Sequence, residues 1–533
     1  MRRNDLMRAC TTLGSAMRAC AALRLAMRAR GALVCAMCVC VFASACGCAR
    51  RESAAPAGAD ARLNILLITI DTLRQDHLAC YGHPRVKTPA IDRLAREGEL
   101  VATAVTAQPK TGPAHASIFT GLSPGTHGIR RNGDILGEEH ETLAELARDA
   151  GYETAGFIGG YPLTRGFGYA QGFDTYQDRL SHGATSAGEG AGKRENFARE
   201  VADSAIAWLG ARTGAGSGTH TRANARGDRS GAPPFFAFVH FFDPHAPYEP
   251  PPPLDRAYYR GDPRDPRHTS LAGADIPNYV RPYLEGITDI EYPIALYDGE
   301  ITSVDFAIER ILAAIEDAGL LEKTLVVLTA DHGESLSEHG YYFCHKDIVY
   351  EDNVRVPLIV RRPAAAETTV ADVRALNTRI ASTTELFAFL CDAATSGAAG
   401  ALPGSSGGNG GRGAGGVAGA PRGDAGGGVR VVFSEQHIYK SGPRGADTYV
   451  ASRYAAQDGA HKFVSNTDGD AELYRLDEDP RELVNIIARD PAAAELLRAS
   501  LAEWLRAEAA PANGAALDAE VVETLKSLGY VDH

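Results

Sequence analysis

From residue 62 onward the chain alternates between short continuous apolar runs and longer stretches with helical spacing. LNILLITI at 63–70 is apolar at nearly every position, which predicts a strand buried on both faces rather than one with a wet side. TPAIDRLAREG at 88–98 predicts a helix with Thr88 as its cap, Pro89 at the first helical position and Gly98 as the stop. Further strands are predicted at 154–158, 234–242, 324–329 and 356–360, and a long helix at 300–319 lies between the 234–242 and 324–329 runs. Apolar strands separated by helices imply an α/β fold with a large, mostly parallel sheet sandwiched by helices.

Three segments break this rhythm, at 183–193, 212–233 and 393–429, all rich in Gly, Ser or Ala. The last has too few apolar side chains to order itself and is expected to be a flexible Gly-rich insertion. Shorter strand-like runs follow at 429–434 and 461–465, then a helix near 491–508. The expected domains are a catalytic unit at 62–392, the insertion at 393–429 and a smaller carboxy-terminal α+β subdomain at 430–533.

Composition changes the picture at the amino terminus. Seven of the ten cysteines lie within the first 48 residues, leaving Cys80, Cys344 and Cys391, too few and too scattered for a disulfide framework. Arg28 and Arg30 precede the apolar run GALVCAMCVCVFASAC at 31–46, which has the length of a signal-peptide core and is short for a membrane span. Ala43, Ser44 and Ala45 before Cys46 resemble a bacterial lipobox, with Ala in place of the usual Leu. Residues 1–45 therefore read as a lipoprotein-type signal peptide and Cys46 as the lipidated residue of an exported protein, held at the periplasmic or cell-surface side of a membrane by its lipid anchor. An uncleaved anchor is the alternative. MRAC at 7 and 17 and MRAR at 27 repeat every ten residues, so that Met27 is a second candidate start. The formal charge is −13, and residues 1–45 carry seven Arg against one Asp, so the remainder is more acidic still. Such a surface argues against nucleic acid as a partner.

Charge follows each long apolar run at once. The 63–70 run ends in Asp71, the 234–242 run in Asp243, Pro244 and His245, and the 324–329 run in Asp331 and His332. In a parallel sheet these strand ends share one edge, where ligands bind. A single Asp there is often only a helix cap, but the three runs together suggest a metal site. Asp243 either binds a second cation or orients His245. His240 and His127 are read as structural. Pro113 marks a helix start in TGPAHASIF, placing Thr111 at the positive end of that helix. A threonine hydroxyl is a poor nucleophile at neutral pH, and a divalent cation held by Asp71, Asp331 and His332, with Thr111 beside them, would activate it.

With those residues in place, TGPAHASIFTGLSPGTHG at 111–128 resembles the signature of the sulfatase family within the alkaline phosphatase superfamily. NILLITIDTLRQDHLACYG, FFDPHAPYEPP, LTADHGESLSEHG, YEDNVRVPLIV and ELYRLDEDPRELVNI are similar to the other family blocks, in the same order. The resemblance implies an alkaline phosphatase-like fold and a metal-dependent hydrolase of sulfuric or phosphoric esters. Its substrate would be a small-molecule, glycan or lipid ester.

Thr111 departs from the signature, whose first residue is a Cys or Ser oxidised to formylglycine. Threonine cannot become that aldehyde, so no formylglycine is expected. Ala114 replaces the signature Ser, His115 the signature Arg, and Thr72 the second of the paired aspartates. Threonine nucleophiles occur in related phosphodiesterases and in phosphoethanolamine and phosphoglycerol transferases, which tilts the choice toward phosphate mono- or diesters. The same comparison brings in His345, one residue out of register with the transferase histidine, and Lys346, which could stand in for a sulfate-binding lysine. The implied site is Thr111 as nucleophile, with His115, His245 and His345 holding oxygens or protonating the leaving group. One divalent cation is expected: zinc, manganese or calcium, with His332 in a position often occupied by Asn favouring the first two. Envelope phosphoryl transfer and non-catalytic glycan binding are the competing readings.

Overall fold

The computed structural model describes residues 62–180, 195–213, 232–345, 347–363, 381–395, 430–440, 448–467 and 471–508. In chain order the strands are β1 (Asn64–Ile70), β2 (Glu99–Leu100), β3 (Ala104–Val105), β4 (Glu153–Ile158), β5 (Thr175–Gln177), β6 (Phe235–Phe241), β7 (Thr324–Ala330), β8 (Arg355–Val356), β9 (Leu358–Arg361), β10 (Ala381–Ser382), β11 (Val432–Lys440), β12 (Thr448–Gln457), β13 (His461–Asn466) and β14 (Glu472–Arg475). The helices longer than two turns or nearly so are α1 (Pro89–Glu97), α2 (Thr111–Thr120), α3 (Leu143–Asp149), α4 (Ala198–Thr213), α5 (Glu291–Asp317), α6 (Glu385–Thr395) and α7 (Pro491–Glu508). The expected signal peptide, Cys46, Lys346 and most of the three Gly-rich segments lie outside the described residues.

Seven strands form the main sheet in the order β2-β9-β7-β1-β6-β4-β5. From β7 to β5 every pairing is parallel, while β9 runs antiparallel to β7, and β2 antiparallel to β9. The sheet is thus mixed at one edge. The predicted 356–360 strand divides at Pro357, which has no N–H to donate: β8 joins the small β10-β3-β8 sheet and β9 the large one.

Buried strands alternate their side chains between two helical layers. On β6, Phe235 meets Trp208 of α4 edge-on at 5.7 Å, whereas Phe238 meets Phe119 of α2 at 4.9 Å and His240 stacks on His115 of α2 at 4.9 Å. α4 and α2 therefore cover opposite faces. α5 begins nine residues before the predicted 300, because Pro293 and Gly299 look like breakers in sequence. Pro293 falls in the first turn, where its missing N–H costs nothing. A Cβ on Gly299 would lie 2.8 Å from the Leu254 carbonyl oxygen, so glycine there is a close-approach residue. Thr88 occupies the position before α1 without capping it; Asp305 of α5 does so instead, accepting from the Ala90 and Ile91 amides at 3.1 and 2.8 Å.

The smaller sheet is an antiparallel meander, β11-β12-β13-β14, with two strands more than the sequence pattern disclosed. One face packs on Leu497, Leu501 and Leu505 of α7 through Tyr454, Phe463 and Leu473. The other packs on Val105, Val349 and Val354 of the large unit through Val432, Ala455 and Val464. β11 also braces the segment leading into α2: the Glu435 amide donates to the Ala107 carbonyl at 2.8 Å, and Lys110 Nζ to the His437 carbonyl at 2.9 Å.

Candidate active site

The register of the parallel strands brings the chemistry together. Ile70 pairs with Ala330 of β7 and with Phe241 of β6, so Asp71 and Asp331 leave adjacent strands at the same level. His332 follows directly. A ligand atom from each of Asp71, Asp331 and His332 lies within 4.8 Å of the others, and all three side chains are buried. His332 Nε2 stands 3.6 Å from Asp71 Oδ1 and 3.5 Å from Asp331 Oδ2.

Two features fit this group to a divalent cation. Asp331 Oδ2 and His332 Nε2 are buried atoms with no hydrogen-bond partner, an arrangement that is costly unless something charged occupies the space between them. His332 Nδ1 is 2.9 Å from the Gly333 carbonyl and donates to it, so the lone pair belongs to Nε2. Burial holds the His332 imidazole well below its usual pKa, hence neutral, as a metal ligand must be. Burial likewise pushes the Asp331 carboxyl up, with His115 opposing it. Asp331 Oδ1 accepts from its neighbour's amide at 2.8 Å and from the Thr72 amide at 3.3 Å. Thr72, which replaces the second of the paired aspartates, thus contributes backbone. It holds φ at +56°, a strained setting for a β-branched residue, and its carbonyl accepts from Tyr297 at 2.7 Å.

Thr111 opens α2 at its amino terminus, after Lys110, and its Oγ1 donates to Asp71 Oδ2 at 3.4 Å. The helix is buried along its whole length. Gly112 anchors its first turn, donating to Asn132 Oδ1 at 2.8 Å and accepting from Tyr169 at 2.7 Å.

His115 does not line the open side of the site as expected. Its Nδ1 bonds the Thr111 carbonyl at 2.7 Å and its Nε2 the Thr69 hydroxyl at 2.9 Å, and the ring is fully buried. With both nitrogens engaged it braces the Thr111 turn from below. His245 and His345 do come together, with ring centres 5.1 Å apart, and His345 lies 4.3 Å from the His332 ring. His245 Nδ1 bonds the Ala246 carbonyl at 2.8 Å, and its ring stacks on Phe242. Asp243 Oδ2 accepts from the Ala198 amide at 2.8 Å and caps α4, and Asp243 belongs to neither group of potential metal ligands among the described residues. His127 is structural as read, bonding Ser117 and the Ile129 amide.

Two more side chains lie near the site, one of them without any reading from sequence. Glu334, fully buried, bonds His345 Nδ1 at 3.2 Å; its place three residues after Asp331 was an available signal. His240, read as structural, is the penultimate residue of β6, level with Thr69 of β1. A second group of potential ligands, His77, His83 and Asp298, is partly engaged by its neighbours, although Asp298 Oδ2 is buried without a hydrogen-bond partner. His77 Nδ1 pairs with Asp298 at 2.7 Å, the Val86 amide donates to His83 Nδ1 at 3.1 Å, and Arg85 lies 3.9 Å from Asp298 Oδ2.

A mostly parallel sheet between helices, with buried carboxylates, an imidazole and a hydroxyl at its carboxyl edge, is an arrangement that suits a metal-assisted ester hydrolase. The chain belongs to the sulfatase family, whose profile matches residues 63–396. It is 28% identical over 333 residues to an arylsulfatase of Clostridium perfringens, covering 56% of this chain and 68% of that protein. It is 26% identical over 370 residues to the multifunctional alkaline phosphatase superfamily protein PehA of Trinickia caryophylli, with the same 56% and 68% coverage. Against the ulvan-active sulfatase of Formosa agariphila the identity is 29%, with 56% of each chain covered. Among solved structures the fold matches a phosphonate monoester hydrolase of Agrobacterium radiobacter, with a TM-score of 0.57, 22% identity, and 84% of this chain and 96% of that chain covered.

Proposed function

We propose that this sulfatase-family hydrolase cleaves phosphate mono- or diesters with Thr111 as the attacking group. The observation that carries the reading is the Thr111 hydroxyl, donated to Asp71 at 3.4 Å from the first turn of a buried helix. Threonine has no route to formylglycine, so the aldehyde hydrate of true sulfatases is closed to this chain, whereas a plain hydroxyl suffices for attack on phosphorus. That a phosphonate monoester hydrolase shares the fold, and the multifunctional protein PehA part of the sequence, is in keeping with this choice.

Asp71, Asp331 and His332 would hold the cation, with the Thr111 hydroxyl beside them. When bound, it would supply positive charge that favours the deprotonated hydroxyl and the phosphoryl oxygens. Zinc or manganese suits a set with one imidazole better than calcium does. Thr111 Oγ attacks phosphorus in line while its proton moves toward Asp71 Oδ2, and an O–P bond forms as the bond to the leaving oxygen breaks. His345, held at Nδ1 by Glu334, gives that oxygen a proton, with His245 beside it. Water then attacks the phosphothreonine, the same imidazole takes the water proton, and Thr111 recovers its own. His115 keeps the Thr111 turn in place rather than touching substrate.

Parallel assays with p-nitrophenyl sulfate, p-nitrophenyl phosphate and bis-p-nitrophenyl phosphate test this reading, together with mass spectrometry for a phosphoryl group on Thr111. A profile confined to the sulfate would overturn it. Hydrolysis is preferred to transfer because envelope transferases usually carry several membrane spans, and no described helix is long and apolar enough to cross a membrane. Export and anchoring through Cys46 are part of the proposal, resting on the 31–46 run. Labelling with a radioactive fatty acid, lost in a Cys46→Ser variant, is the expected result.

A further inference from the structure

Beneath Thr111 two imidazoles lie face to face, His115 on His240, with ring centres 4.9 Å apart and planes 9° from parallel. Both are fully buried. His115 has a partner at each nitrogen, but His240 has none at either. A buried ring with both polar atoms unbonded calls for an explanation, and nothing in the catalytic scheme above uses it. Parallel pairing sets His240 level with Thr69 of β1, so its side chain rises on the same face as the Thr69–His115 contact and ends next to the strand terminus that carries Asp71. Its Nε2 is 3.8 Å from Asp71 Oδ2. An approach of about 0.9 Å would make this an ordinary N–H···O hydrogen bond.

We infer that His240 is a positioning residue for the cation site, donating from Nε2 to Oδ2 of Asp71 and so turning Oδ1 toward His332. The inference rests on the reading that Asp71, Asp331 and His332 hold a cation. Oδ1 already faces His332 Nε2 at 3.6 Å, while Oδ2 receives the Thr111 hydroxyl. A second donor on Oδ2, from a different element than the Thr111 hydroxyl, adds to the hold on the carboxylate plane. Burial keeps the imidazole neutral, so the donor adds a dipole without placing a positive charge beside the cation. The stack on His115 then has a purpose: it fixes the ring plane of His240, and it ties the position of Asp71 to the turn that carries Thr111. Outer partners of this kind are worth roughly 10- to 100-fold in metal affinity.

The test compares wild type, His240→Phe and His240→Gln. Phenylalanine keeps a flat ring on His115 and loses the donor; glutamine keeps an N–H near the Nε2 position. Manganese(II) and zinc(II) affinities are measured by titration calorimetry on metal-free protein, and the cobalt(II) form is examined by visible absorption. The expected result is an unchanged metal-free melting temperature, manganese binding weakened roughly 10- to 100-fold in His240→Phe, an altered cobalt spectrum, and recovery of most of the affinity in His240→Gln. Wild-type affinity and spectrum in His240→Phe would overturn the inference while leaving the cation site standing. Failure of the wild type to bind manganese, zinc or calcium would remove the cation site itself, and the inference with it. If neither variant folds, nitrogen NMR of the histidine-labelled, manganese-free and zinc-loaded wild type decides: a hydrogen-bonded proton on Nε2 of His240 supports the role, and a proton on Nδ1 overturns it.

Discussion

Thr111 Oγ1 donates to Asp71 Oδ2 at 3.4 Å although 40 positions separate the two residues. One belongs to the end of β1 and the other to the first turn of α2, which packs on the face of the sheet opposite α4. The contact ties the proposed nucleophile to a proposed metal ligand before any substrate arrives. It also exposes the site to single substitutions.

Thr111→Ala should reduce turnover by at least about a thousandfold, on the scale of a lost nucleophile. The residue is not the cap of α2: Lys110 precedes the helix and makes no side-chain cap bond. Alanine is also a good helix former, so the melting temperature should hardly move. Initial rates with the best aryl ester and a thermal melt check both parts, and appreciable residual hydrolysis would exclude Thr111 as nucleophile.

Chelation should abolish activity and lower the melting temperature, and manganese or zinc should restore both. At a free metal concentration 100 times the dissociation constant the gain is about 2.7 kcal/mol. His332→Asn replaces the nitrogen ligand with an amide oxygen and should shift the preference toward calcium. Reactivation series with the three metals on both proteins measure this.

Glu334 and His345 should behave as one unit. His345→Ala should lower kcat roughly a hundredfold, the lower range for a general acid, and Glu334→Gln should lower it by less while leaving KM nearly unchanged. Because the carboxylate acts through the imidazole, the double variant should be no slower than His345→Ala alone. Additive losses would show that Glu334 acts elsewhere.

Asp243 carries a pH signature. Burial pushes its carboxyl up to about 6, against the Ala198 amide, which lowers it. The folded pKa thus exceeds that of the unfolded chain, near 3.9, and the native state holds the proton more tightly. Its contribution to stability is greatest below about pH 4, falls as pH rises toward 6, and stays low above that. Asp243→Asn keeps an acceptor for the α4 cap and cannot ionise. Its melting temperature should match wild type at pH 4 and exceed it at pH 8. The reverse trend, with reduced metal content, would restore Asp243 to a second metal site.

Lys462 of β13 is fully buried between Glu351 and Glu482, at 3.0 Å from each. Lys462→Met strands two carboxylates and should cost about 3–5 kcal/mol. Urea unfolding is the measurement. Replacing all three residues with apolar ones of similar volume should recover much of that loss.

Some of this architecture was legible directly. The runs of β1, β6 and β7 are apolar on both faces, which only a covered parallel sheet satisfies, and the charges that follow them mark the carboxyl edge. Less legible were the elements whose boundaries depend on neighbours. α5 hid its first nine residues behind Pro293 and Gly299, since a glycine that looks like a breaker is in fact a contact with the Leu254 carbonyl. The pattern at 356–360 did not announce that Pro357 divides it between two sheets. Thr88 had the chemistry of a cap, yet Asp305 arrives from α5 and does the work.

The amino-acid order by itself determined which residues could carry chemistry here: Asp71, Asp331 and His332 at strand ends, and a hydroxyl at the start of a helix, because local periodicity decides where strands and helices stop. Only the tertiary structure decided which of the histidines gather at His332 and which lie beneath the Thr111 turn. Strand register and the layer into which α2 packs bury His115 and His240 under the Thr111 turn, and the fold brings His345 to Glu334. Those relationships span tens to hundreds of residues, and no local pattern encodes them.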